Sequence, residues 1–184
     1  MKVIGLVGPS GAGKTTLLSA MLPLLRAAGL SVSTVKHAHH GFDLDRPGKD
    51  SHRHREAGAL EVMVAGPERW ALLHEHPRSV AEPALAELLA RMTPVDLVLV
   101  EGFRSHPHPK IEVYRPALGE PPLWPGRGDI VAVASDSLLP TCPRHVLPLG
   151  APATIADWLL GFMALRRGDA TTGAPVVAGA GNRS

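Results

Sequence analysis

The stretch Gly8-Pro9-Ser10-Gly11-Ala12-Gly13-Lys14-Thr15-Thr16 constrains the fold of this chain more than any other. Before it, Lys2-Val3-Ile4-Gly5-Leu6-Val7 is a short apolar run that predicts a buried strand. After it, Thr16-Leu17-Leu18-Ser19-Ala20-Met21-Leu22 contains no glycine and predicts a helix. Strand, glycine-rich G-x-x-x-x-G-K-T loop and helix together describe a phosphate-binding loop. Glycines remove the Cβ atoms that would stop the backbone curling around an anion, so that successive N–H groups point inward. The first helical turn adds unpaired N–H donors and the positive end of the helix dipole. In such a loop Lys14 reaches the β- and γ-phosphates, and the Thr15 hydroxyl ligates Mg²⁺. Gly11-Ala12-Gly13 does not extend to a dinucleotide fingerprint, because Thr16 stands where G-x-G-x-x-G needs its last glycine.

A chain of 184 residues is long enough for one sizeable core. A net charge of +2, from 19 basic and 17 acidic residues, has no basic run that would argue for nucleic acid. No run of 18 apolar residues is present and the first strand starts at once, so neither a membrane span nor a signal peptide is expected. Cys142 is the only cysteine, which excludes an intrachain disulfide and suits a reducing cytoplasm.

Residues 14–28 predict the first helix, with a kink at Pro23 and Gly29 at its end. Residues 31–36 alternate and predict a second strand, expected to return in parallel beside the first. Asp50 or Ser51 is expected to cap a helix over 51–58 that ends at Gly58. The runs 60–65 and 69–74 flank Gly66-Pro67-Glu68 and predict a hairpin. A helix is predicted over 80–92, strands over 95–100, 110–115 and 129–134, a short strand over 145–149, and a helix over 153–166 capped by Thr154 or Asp157. The proline- and glycine-rich residues 116–128 predict a loop. The fold class is therefore α/β: a P-loop NTPase-like three-layer fold with a mostly parallel sheet plus an antiparallel hairpin. Its domain is expected to cover 1–167. Residues 168–184 are expected to form a flexible tail, because only Val176 and Val177 there are bulky and apolar.

Open α/β sheets bind ligands beyond the carboxyl ends of their strands. Glu101 ends an apolar strand at that edge and is the candidate metal-side carboxylate. Asp96 begins the same strand and is expected at the opposite end. Lys36 ends the second strand, within reach of a phosphate or of Glu101. The polar segment 36–51 that follows offers Asp43, Asp45 and Asp50 as further metal ligands, each also an ordinary turn or cap residue. His37, His39, His40, His52 and His54 crowd the same region and leave a transition-metal site open as an alternative. Asp136, at the end of the 129–134 strand, is the candidate base reader: a carboxylate accepts from guanine's N1–H and exocyclic amine and repels adenine's N1 lone pair. The usual Asn-Lys-x-Asp signature is absent, so a strand-end Asp capping the next turn is the competing reading.

Lys36-His37-Ala38-His39-His40, Asp43-Leu44-Asp45, Pro47-Gly48-Lys49-Asp50-Ser51, Arg69-Trp70-Ala71-Leu72, Glu101-Gly102-Phe103 and Val133-Ala134-Ser135-Asp136 accompany the loop in a fixed order over residues 2–165. In these blocks the chain resembles the MobB type of molybdopterin-guanine dinucleotide biosynthesis protein, with Arg104 where that family often has Lys. The resemblance implies a cytoplasmic homodimer that binds GTP and Mg²⁺ and hydrolyses GTP weakly. It also implies an adaptor role toward the partner enzyme, a MobA-type guanylyltransferase that joins GMP to molybdopterin, with GTP or the molybdenum cofactor as what is supplied. Under that reading Lys14 and the loop amides stabilise phosphate charge, and Thr15 with Glu101 holds Mg²⁺. The segment 36–51 then serves as switch or partner surface, and Arg46, Arg53 and Arg104 are candidate arginine fingers. A metal-delivery GTPase using the histidines of 37–54, a small-molecule kinase and a non-catalytic interaction module remain as alternatives.

Overall fold

The computed structural model describes residues 1–38, 44–76 and 80–165. His39, His40, Asp43 and the expected tail 168–184 lie outside the described residues. The chain divides into two compact units, one of residues 1–37 with 93 onward, the other of residues 38–92.

The first unit is a six-stranded parallel sheet. Its strands are β1 (Lys2–Val7), β2 (Val32–Lys36), β5 (Leu97–Glu101), β6 (Lys110–Tyr114), β7 (Ile130–Ser135) and β8 (His145–Pro148), in the order β2-β5-β1-β6-β7-β8. One expectation is corrected here: β2 does not lie beside β1, because β5 pairs with both. Burial explains the order. Leu97, Val98, Leu99 and Val100 are four consecutive fully buried residues, which requires a strand covered on both faces and flanked on both sides. The part-exposed β2 goes to the edge.

Helices α1 (Lys14–Ala27) and α4 (Pro152–Phe162) share one core with alternate sheet residues, among them Ile4, Leu6, Leu99, Ile111, Val113 and Leu147. α1 contains Pro23. It ends in a Schellman motif: Leu30 N–H donates to Leu25 O and Gly29 N–H to Arg26 O, with Gly29 at φ 89°. The other face is built differently. The register of β6 and β7 shifts between Lys110 and Ile111, so Ile130 joins Val133 and Val7 in a second cluster under Trp124. This layer is irregular backbone held by two buried charges two residues apart on β6. The Lys110 ammonium donates to His106 O (2.6 Å), His108 O (2.8 Å) and the Asp129 carboxylate (2.7 Å). Glu112 accepts from Leu123 N–H (2.8 Å) and Trp124 N–H (3.0 Å), and burial pushes its carboxyl pKa up against those bonds. Both charges are fully buried and thereby bind the 104–109 and 116–128 segments to the sheet.

His108 lies in the same layer, and its two ring nitrogens are buried without a hydrogen-bond partner among the described residues. Burial first, then the Lys110 charge, lowers its pKa to about 4; His106 and Arg127 act in the same direction and Asp129 against it. The unfolded chain therefore binds the proton between about 6.5 and about 4 while the folded chain does not. Stability is expected to be complete above pH 6.5 and to fall as pH drops toward 4, with a slope approaching one proton. Chemical denaturation across that range checks this by comparison with His108→Asn, in which the slope is expected to flatten.

The second unit holds α2 (Asp50–Glu56), the antiparallel pair β3 (Glu61–Ala65) and β4 (Trp70–His74), and α3 (Leu85–Ala90). Asp50 is the first residue of α2 rather than its cap, and no side chain caps that helix. The expected end at Gly58 is present as a second Schellman motif. The helix predicted over 80–92 shortens to α3. Pro83 lacks an N–H and disfavours helical backbone at the residue before it, so the helix starts beyond it and leaves Val80 exposed. α4 likewise starts at Pro152 with Ala151 as its cap position, not Thr154 or Asp157. Asp45 is tied to Arg55 (3.1 Å) with its side chain 5% exposed.

Candidate functional site

Three sheet ends and the glycine loop converge at the carboxyl edge of the first unit. Gly8 leaves β1 at φ 141°, and a Cβ there would lie 2.3 Å from Val113 O on the neighbouring β6. Only glycine allows β1 to turn so close to that strand. Gly11 and Gly13 also have positive φ, 76° and 99°, and Gly13 is the N-cap of α1. The loop amides and the start of α1 then frame a cleft of about 360 Å³ lined by Ser10, Gly11, Gly13, Lys14, Thr15, Thr16, Lys36 and Glu101. The expected site residues Gly8, Pro9 and Ala12 belong to the loop but not to this lining.

The Lys14 ammonium donates to Gly8 O (3.0 Å) and Pro9 O (2.7 Å), so it already spans the loop. Burial lowers its pKa; Glu101 opposes that shift and the Arg104 and Lys36 cations add to it. Two lining cations, Lys14 and Lys36, against one carboxylate, with the Arg104 charge near enough to act on Lys14, make the cleft a receptor for anions. Thr15 Oγ1 donates to Glu101, 2.9 Å from Oε1 and 3.0 Å from Oε2. Lys36 Nζ, 65% exposed, lies 3.8 Å from the same carboxylate, which is 12% exposed. The structure brings Thr15, Glu101 and Lys36 together in one cluster. Asp96 sits at the other end of β5, where it accepts from Ser31 N–H (2.8 Å) and Ser31 Oγ (2.6 Å). The turn after Glu101 is tight: Gly102 has φ 95°, a Cβ there would lie 2.7 Å from His37 Cβ, and Phe103 stacks on His37 at 4.4 Å.

Asp136 does not line the cleft. It follows β7, accepts from Ser137 Oγ (3.1 Å) and pairs with Arg115 at 3.2 Å. Arg115 Nε also donates to Ala12 O in the loop (3.0 Å). Sequence reasoning passed over Arg115 as the last residue of a strand. The rule that singled out Glu101 and Asp136, a polar residue at a strand's carboxyl end, applies to it equally. Among the described residues no group of three or more His, Cys, Asp or Glu could hold a metal.

Fold and cleft define a P-loop NTPase-like α/β protein. Residues 3–136 match the family described as molybdopterin guanine dinucleotide synthesis protein B. The chain is 40% identical over 157 residues to the molybdopterin-guanine dinucleotide biosynthesis adapter protein of Haemophilus influenzae, covering 85% of this chain and 86% of that one. It is also 40% identical over 163 residues to the adapter protein of the same description from Escherichia coli, covering 86% and 91%. A crystal structure of molybdopterin-guanine biosynthesis protein B superposes with a TM-score of 0.68 at 27% identity, covering 87% of this chain and 99% of the other. The chain belongs to this MobB family.

Proposed function

We propose that this protein is a guanine-nucleotide-binding adaptor in molybdopterin guanine dinucleotide biosynthesis, with weak Mg²⁺-dependent GTP hydrolysis. The observation that carries the proposal is the contact of Thr15 Oγ1 with both Glu101 oxygens beside Lys14 in a glycine-lined cleft. A hydroxyl and a carboxylate are hard oxygen donors, so this pair fits Mg²⁺. When bound, the ion would neutralise charge on the terminal phosphates. Lys14 would exchange its two carbonyl acceptors for phosphate oxygens, and the loop amides would hold the rest of the chain of phosphates. Asp136 would read the base from its place past β7.

Weak hydrolysis accords with the cleft. Glu101 is the one carboxylate among its described lining residues and is already engaged by Thr15, which leaves no second acid there to orient water. Of the candidate fingers, Arg104 lies in the first unit with the cleft, and Arg46 and Arg53 belong to the second. The adaptor role follows the names of the relatives at 40% identity. It entails a MobA-type guanylyltransferase as partner, GTP or the molybdenum cofactor as cargo, a cytoplasmic site of action and a homodimer. Met63, Trp70 and Leu72 share one face of the β3–β4 hairpin, are exposed and supply an apolar surface for association. No described helix is long and apolar enough to cross a membrane. Competition between nucleotides tests the reading. Bound GTP is expected to survive excess ATP in Mg²⁺, and displacement at equal concentrations would sink the guanine assignment.

A further inference from the structure

We propose that Arg115 is a positioning residue for guanine selectivity, holding the base-reading Asp136 at a fixed place relative to the phosphate loop. The inference rests on the reading of the cleft as a guanine-nucleotide site. Arg115 stands one residue past β6, between β1 and β7, with Tyr114 paired to Ser135 and Glu112 to Val7. It is therefore the position from which one side chain reaches both neighbours' loops. Its guanidinium uses two separate edges. Nε donates to Ala12 O at 3.0 Å, and Nη1 meets Asp136 Oδ2 at 3.2 Å. Nη2 lies 3.6 Å, an ordinary contact distance, from where a Cβ on Gly13 would be, so the guanidinium also packs beside the loop at Gly13.

Asp136 is held from two sides, by Arg115 on Oδ2 and by Ser137 Oγ on Oδ1 at 3.1 Å. Each carboxylate oxygen has more than one lone pair, so both can still accept, one from N1–H and one from the exocyclic amine of guanine. The Arg115 and Asp136 side chains are 40% and 38% exposed, open enough for a base to reach. A planar group with donors on several edges is needed to bridge two acceptors at once; a lysine ammonium at the end of a flexible stem holds one geometry poorly. The loop sets where the phosphates lie, and a side chain that ties the acid to the loop sets where the acid lies relative to them. Selectivity that depends on this separation is lost when the tie is cut, even though Asp136 itself remains.

Calorimetric titration of the 184-residue chain in Mg²⁺ with GTP, ITP, ATP and inorganic tripolyphosphate tests the proposal. ITP lacks the exocyclic amine, so the GTP-to-ITP affinity ratio reports the contact to Asp136. Arg115→Ala is expected to reduce that ratio by about tenfold, with a smaller loss for tripolyphosphate than for GTP. Arg115→Gln, which keeps a donor without the charge, is expected to reduce the ratio as well, and Arg115→Lys to recover only part of it. Thermal melting within a few degrees of wild type shows that the variants fold. An unchanged GTP-to-ITP ratio in Arg115→Ala and Arg115→Gln, with wild type still preferring GTP over ATP, overturns the proposal and leaves the guanine reading standing. Equal losses for tripolyphosphate and GTP also overturn it, because Arg115 is then a phosphate ligand. No preference for GTP over ATP in wild type overturns the guanine reading itself.

Discussion

Lys14→Ala is expected to lower GTP affinity by about 100- to 1,000-fold while leaving the fold intact. The ammonium supplies charge-assisted hydrogen bonds to phosphate oxygens, each contributing about 1.5–3 kcal/mol. Its present partners, Gly8 O and Pro9 O, show that it is already aimed across the loop, so little reorganisation is needed when phosphates replace them. The group is part-buried, and burial lowers its pKa, so a phosphate that meets it compensates its charge. In the folded variant the two carbonyls lose a donor but remain within reach of water, and the melting temperature should move by only a few degrees. Calorimetry with GTP checks the first part and thermal melting the second. An affinity within about threefold of wild type would show that the phosphates do not sit on this loop.

Glu101→Gln is expected to remove most of the Mg²⁺ dependence of GTP binding. In wild type, Mg²⁺ should strengthen GTP binding, because Thr15 and Glu101 present a hydroxyl and a carboxylate to the ion. The amide keeps the shape and the bond from Thr15 but removes the charge, and the Mg²⁺-dependent gain should fall by about 10- to 100-fold. Without Mg²⁺ the sign changes: the variant should bind GTP as well as wild type or better, because a negative charge beside the phosphates is gone. Fold stability should hardly move, since the Lys36 partner is mostly exposed and 3.8 Å away. Titrations with GTP at several Mg²⁺ concentrations, and in chelator, separate these effects. Equal Mg²⁺ dependence in both proteins would remove Glu101 from the metal site.

Local pattern and chemistry made some of this architecture readable in the chain. The strand, glycine loop and helix of residues 2–27 are dictated by short-range physics: an apolar run, glycines where φ is positive and a glycine-free helix with a Schellman end. Glu101 and Asp96 were assigned opposite ends of β5 from polarity along one strand, and the structure places them so. The order of strands was harder, because period-2 alternation says which face a residue takes and not which strand lies beside it. The insertion of β5 between β1 and β2 becomes intelligible only from its four consecutive buried residues. Pro83 shows how one residue overrides a helical period, since Val80 matches the spacing but cannot belong to the helix. Lys110 and Glu112 alternate as a solvent-facing strand edge would. Their burial follows from segments that fold over them from elsewhere in the chain. The role of Arg115 is hidden in the sequence for the same reason: it lies in Ala12 and Asp136, 103 positions before it and 21 after, which only the sheet brings together.

Under the proposed function, guanine preference rests on Asp136, the acid that follows β7. Equilibrium titration of the 184-residue chain with GTP and with ATP, both in Mg²⁺, tests this preference, with Asp136→Asn measured alongside. Wild type is expected to favour GTP by about a hundredfold or more, and Asp136→Asn to lose most of that preference while retaining affinity for the phosphates. Equal affinity of wild type for GTP and ATP would contradict it.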